Sequence, residues 1–220
     1  MKKVFLLFLG LTMSVCTMAQ NTRVTTKAQQ NHNLLGGSPD NNGGFGIKGG
    51  VNFNMLRGAD KSKLQNLNNE TTWHAGVFAQ FPVAGSDFFS IQGEALFSRK
   101  SFTSDDSIST KYKMDYVDVP LLFVFNVLDN VSFHVGPYAS LLLTVQENDS
   151  EVGEAQKKLL NSFGYGLAGG VEAKISFARV GARYNLGLND IYKTPKMIGN
   201  ESIQDLKNGN FQVYVGVGFR

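Results

Sequence analysis

Few side chains in this chain have the type and spacing that support chemistry. His32, His74 and His134 stand far apart, without the short spacing of paired metal ligands on one element, and no Ser-His-Asp order accompanies them. The single cysteine, Cys16, lies in an apolar N-terminal stretch. Gly164-Tyr165-Gly166-Leu167-Ala168-Gly169 matches a G-x-G-x-x-G spacing. A dinucleotide site needs those glycines in the turn between a strand and a helix. Here strand-like alternation continues through Val171 to Ile175, so the glycines read as small residues packed inside a wall. The acidic run from Gln146 to Glu154 lacks the alternating ligands and distal Glu of an EF-hand and reads as a solvated loop. No catalytic residue, cofactor or metal is expected.

The charges are more informative. Lys48, Glu94, Lys100, Asp118, Glu172, Lys174, Arg179 and Arg183 all fall on the polar side of alternating segments. A charge enclosed in a narrow space must pair or hold water. We therefore expect a network among Lys48, Glu94, Asp118, Glu172 and Arg183, with Glu94 and Glu172 pairing to Arg183 and Lys48. Its simplest role is to fill the interior; a gate is the alternative.

The elements that must position these charges are strands, whose side chains alternate faces with a period of two. The last strand shows it best. Phe211, Val213, Val215, Val217 and Phe219 form an apolar face, against Gln212, Tyr214, Gly216 and Gly218. Seven earlier segments repeat the pattern, over residues 45–56, 72–82, 88–100, 111–127, 130–145, 161–175 and 178–189. Pro120 removes a ladder donor from the fourth, so a bulge is expected there. Long and short connections alternate. The strands have the length that a tilted membrane-spanning strand needs. Aromatic Phe45, Trp73, Phe81, Phe89, Phe97 and Phe219 sit near the ends of the apolar face, as an interfacial girdle would. A soluble β-sandwich would not fill its second face with glycine. The expected fold is all-β: an eight-stranded antiparallel up-and-down transmembrane β-barrel over residues 44–220, closed so that no strand edge meets lipid.

Composition agrees. The 220 residues include 24 Gly and 17 Phe but only 18% charged residues. No apolar run is long enough for a spanning helix. Lys2 and Lys3, the apolar run to Val15 and Thr17-Met18-Ala19 read as a Sec signal peptide over residues 1–19, cleaved after Ala19. Without Lys2 and Lys3 the net charge falls from +3 to +1, which leaves no basic stripe for nucleic acid. Residues 20–43, rich in Asn, Gln, Thr and Gly, read as a flexible periplasmic leader.

Several motifs resemble the PorT-like outer-membrane β-barrel proteins of Bacteroidetes. They are Gly46-Ile47-Lys48-Gly49-Gly50-Val51-Asn52, Tyr116-Val117-Asp118-Val119-Pro120-Leu121-Leu122, His134-Val135-Gly136-Pro137-Tyr138, Arg183-Tyr184-Asn185-Leu186-Gly187-Leu188 and the closing strand. The resemblance implies an eight-stranded barrel in the outer membrane. Some relatives take part in protein secretion. Asp106-Ser107-Ile108 resembles a Bacteroidetes O-glycosylation site. The expected role is structural or interactive: a non-enzymatic barrel held in outer-membrane lipid, whose long external loops contact envelope protein partners. A narrow pore for ions or small solutes, or a secretion-system component, is the alternative. The apolar face of the closing strand, Phe211 to Phe219, resembles the signal read by the barrel-insertion machinery.

Overall fold

A computed structural model describes residues 43–60, 67–83, 88–105, 109–128, 130–147, 150–151, 160–175, 177–193, 196–198, 201–203 and 205–219. The stretch read as a signal peptide, nearly all of that read as a leader, the triplet at 106–108 and most of the acidic run lie outside these residues. The strands are β1 (Gly44–Arg57), β2 (Leu67–Asn69), β3 (Thr71–Pro82), β4 (Phe89–Asp105), β5 (Ser109–Leu128) and β6 (Val131–Glu147). They continue with β7 (Ser150–Glu151), β8 (Phe163–Ile175), β9 (Ala178–Asp190), β10 (Lys196–Ile198), β11 (Glu201–Ile203) and β12 (Lys207–Phe219). The eight long ones pair antiparallel in the order β1, β3, β4, β5, β6, β8, β9, β12. Closure comes from β12 pairing with β1, from Phe45↔Phe219 to Arg57↔Lys207. No edge of the cylinder is left for lipid to solvate.

The bilayer dictates which face turns outward. Phe45, Ile47, Val51 and Phe53 on β1 are exposed, as are Phe211, Val213, Val215 and Phe219 on β12. Their neighbours Lys48, Asn52, Gln212 and Tyr214 are buried in the bore. Each of the thirteen residues of β8 adds ~3.3 Å. At a tilt of about 40° the strand rises roughly 30 Å, enough to carry the ~25 Å apolar band of such a barrel. Aromatic pairs mark its two rims. Phe45 meets Phe219 at 5.9 Å and Phe89 meets Phe125 at 5.3 Å beside the short connections. Trp73 stacks on Phe97 at 5.2 Å and Phe53 meets Phe211 at 6.2 Å toward the long ones.

Two sequence expectations need correction. No bulge forms at Pro120: β5 holds one register against β4 from Gly93↔Leu121 to Leu96↔Asp118, and Pro120 stands opposite Tyr138 of β6. The ladder simply leaves out the bridges beside the missing donor. The register shifts fall instead at Asp115/Tyr116 and Asn126/Leu128. Second, much of the supposed loop at 101–110 is strand, because β4 and β5 stay paired to Asp105↔Ser109. The short β2 joins β4 there, β7 joins β6, and β10 pairs with β11. The wall thus rises above its apolar band on the long-connection side.

Interior glycines make room for large side chains. The Tyr214 ring occupies the space where a Cβ of Gly181 would stand. Above it the interior turns apolar. Leu56, Ile191 and Leu206 form one cluster, and Met114, Tyr116, Leu142 and Val145 another; Phe102 and Leu160 pack against both.

Candidate functional site: the charged interior

The site is a hydrogen-bonded network across the bore, built from inward positions of β1, β3, β4, β8, β9 and β12. Glu94 is its hub. Lys48 Nζ donates to Glu94 Oε1 at 2.8 Å, Arg183 Nη1 to Glu94 Oε2 at 2.8 Å, and Gln92 Nε2 to Oε1 at 2.7 Å. The side chains of Lys48, Glu94 and Arg183 are wholly enclosed. Arg183 Nε and Nη2 also donate to Gln212 Oε1, at 3.1 and 2.9 Å. Gln212 Nε2 donates to Asn52 Oδ1 at 2.9 Å, which also meets His74 Nδ1 at 2.7 Å.

A second centre forms on Glu172. It accepts from Arg179 at 3.1 Å and from the Tyr214 hydroxyl at 3.0 Å, while Lys48 lies 3.8 Å away. Arg179 also donates to Gln80 at 2.6 Å and lies 4.4 Å over the Phe78 ring. Lys48 stands 4.2 Å over the Tyr214 ring. In a medium of low dielectric, charges are held by such dense compensation or not at all.

The structure brings together Lys48, Glu94, Glu172 and Arg183 in pairs that were anticipated, Arg183 and Lys48 with Glu94 and Lys48 with Glu172, and adds Arg179. Among the carboxylates Arg183 meets Glu94, and Arg179 is the guanidinium on Glu172. Asp118 stands apart, accepting from the Ser140 hydroxyl and from Lys100 at 3.5 Å. Sequence reasoning had placed Arg179, Gln212 and Tyr214 on the inward face without giving them partners. His74 and His134 both point inward but have different neighbours: His74 meets Asn52, and His134 lies against Gly170. Among the described residues no group of three or more His, Cys, Asp or Glu is placed to hold a metal. The glycines from Gly164 to Gly169 lie inside β8, so no phosphate-binding turn exists there.

The buried charges do not balance. Among the described residues five buried cations (Lys48, Lys100, Lys174, Arg179, Arg183) stand against four buried carboxylates (Glu94, Asp115, Asp118, Glu172), and Asp115 is taken by Arg99. At the outer rim the ion pairs are more exposed. Arg99 forms a two-bond pair with Asp115 at 2.7 and 2.9 Å. Burial works to raise the Glu70 carboxyl, but hydrogen bonds from Lys111, Thr103 and Ser101 outweigh it and hold it below its ordinary 4.5.

A closed eight-stranded wall, an apolar exterior and a charged, filled bore define a small outer-membrane β-barrel protein. Residues 18–193 match the family described as the outer membrane protein beta-barrel domain, and the chain belongs to that family. No curated protein matches the sequence. Among solved structures, Neisserial surface protein A is similar over 84% of this chain and 99% of its own, at 14% identity and a TM-score of 0.52. Ail, the attachment invasion locus protein of Yersinia pestis, matches over 80% and 99%, at 12% identity and a TM-score of 0.44. OprG from Pseudomonas aeruginosa matches over 81% and 96%, at 13% identity and a TM-score of 0.41. At such identities the likeness is one of fold.

Proposed function

We propose that this protein is a sealed, non-enzymatic outer-membrane anchor that presents its raised outer wall and long connections to envelope partners. The observation that carries the reading is the filling of the bore. The Glu94 and Glu172 centres occupy its middle, and the apolar side chains around Phe102 and Leu160 cover its outer end. Eight strands leave an interior that side chains just fill. The interior charges then act as a structural network rather than a gate. The raised β4–β5 hairpin, with β2 beside β4, is the surface we assign to partner contact.

The finer affiliation is read as PorT-like, on the motifs given above. The address is read as a Sec signal cleaved after Ala19, followed by insertion through machinery that recognises the closing strand. Planar bilayers test the central reading. The wild-type chain, Glu94→Ala and Arg183→Ala are each expected to give no stepwise conductance. A reproducible unitary conductance of the wild type, altered by either substitution, would replace the anchor with a narrow gated pore.

A further inference from the structure

The ladder between β8 and β9 ends early. Its last pair toward the outer rim is Gly166↔Gly187, although β8 runs on to Phe163 and β9 to Asp190. The side chain of Asn189 replaces the missing backbone bonds. Its Oδ1 accepts from Tyr165 N–H at 2.9 Å, and its Nδ2 donates to the Phe163 carbonyl at 3.3 Å. Above it, Asn161 N–H donates to the Ile191 carbonyl at 2.8 Å and rejoins the two segments. The result is a slot in the wall, spanned by the Asn189 amide and closed above by the Asn161 amide, whose Nδ2 donates to the Asp190 carbonyl at 2.6 Å. On the lipid side it is flanked by exposed Phe163, Tyr165 and Leu188.

Behind the slot lies a small pocket lined by Lys100, Tyr116, Tyr138, Ser140 and Asn208, and by Asp190, whose carboxylate is paired with Lys207 at 3.1 Å. Lys100 is buried but loosely held. Its ammonium reaches Ser140 at 3.3 Å and Asp118 at 3.5 Å, and lies 4.2 Å over the Tyr116 ring. A charge-assisted bond is normally about 2.7–2.9 Å long. Lys48, enclosed in the same bore, meets that standard with Glu94 at 2.8 Å. Lys100 therefore retains donor capacity in the direction of the slot. Arg99, its neighbour in sequence, pairs with Asp115 at the outer rim of the apolar band, which sets Lys100 near headgroup depth.

We infer that the β8–β9 slot is a lateral binding site for a single-chain amphiphile with a carboxylate head, a long-chain fatty acid of the outer leaflet. The carboxylate would pass the Asn189 strap and bind Lys100, with the Tyr138 hydroxyl as a further donor. The acyl chain would remain outside, along Tyr165 and Leu188. The site is separate from the Glu94 centre, so it stands or falls independently of the anchor reading.

The test uses the full chain in lipid nanodiscs with a photoactivatable long-chain fatty acid, its attachment sites mapped by mass spectrometry. Labelling is expected to concentrate on β8 and β9 around Tyr165 and Leu188. Oleate should compete for it and methyl oleate should not. Lys100→Met should lower labelling at least tenfold. A Tyr165→Cys, Leu188→Cys pair should abolish labelling when oxidised and restore it on reduction, within one folded protein. Labelling spread evenly around the belt, equal competition by methyl oleate, or no response to the reversible disulfide would each overturn the assignment.

Discussion

Glu94→Ala is the most informative single change. It removes the acceptor of three hydrogen bonds, from Lys48, Arg183 and Gln92. Two enclosed cations lose their carboxylate in a bore that already holds more cations than anions. Breaking a buried pair in this way costs about 3–5 kcal/mol. The residual contacts set where in that range the loss should fall. Lys48 keeps Glu172 at 3.8 Å and the Tyr214 ring, and Arg183 keeps Gln212, which points to about 3 kcal/mol. Lys48→Met removes a member of the excess charge and leaves Glu94 with Arg183 and Gln92, so it should cost about 2 kcal/mol or less. The assay is reversible urea unfolding in phospholipid vesicles, with the folded fraction read by gel mobility. If Glu94→Ala cost less than about 1 kcal/mol, or less than Lys48→Met, the network would not be the interior's organising element.

Tyr214→Phe removes the hydroxyl that donates to Glu172 at 3.0 Å and should cost about 1.5 kcal/mol in the same titration; unchanged stability would contradict the assigned bond. Phe219→Ala should lower outer-membrane yield more than Val213→Ala, another outward position of β12. Gln212 is unsuitable as that control, because it is enclosed and bonded to Arg183 and Asn52. The Glu70 carboxyl titrates below its ordinary 4.5 in the folded state. Its contribution to the outer rim is therefore complete above that value and lost as the pH falls through its depressed one. Amide exchange in β2 and the tip of β4 should rise as the medium is acidified below pH 4.5, and Glu70→Gln should flatten that dependence.

The strands were legible because lipid on one side and a narrow bore on the other force strict alternation. The inward placement of Lys48, Glu94 and Arg183 followed from parity alone. Their full set of partners did not. Arg183 joins β9 to Glu94 on β4 across the bore, and which residues meet there depends on the stagger of the whole wall. Hence Arg179 joins Lys48 on Glu172, a partner the sequence did not suggest, and Asp118 goes to Lys100 and Ser140 instead of the network. The raised hairpin was missed for the opposite reason. Above the bilayer neither face of Ser101, Thr103 and Ser104 must be apolar, so the alternation that marks a strand disappears. Nothing in the sequence distinguishes Asn189 as a side chain that replaces backbone pairing.

Trp73, the only tryptophan of the chain, offers the most direct test of the account. It faces outward, 47% exposed, stacked on Phe97 at the outer rim of the apolar band. In bilayers its emission should be blue-shifted and quenched most strongly by lipids brominated high on the acyl chain. Red-shifted emission that brominated lipid leaves untouched would place this wall in water, and the membrane-spanning cylinder would be wrong.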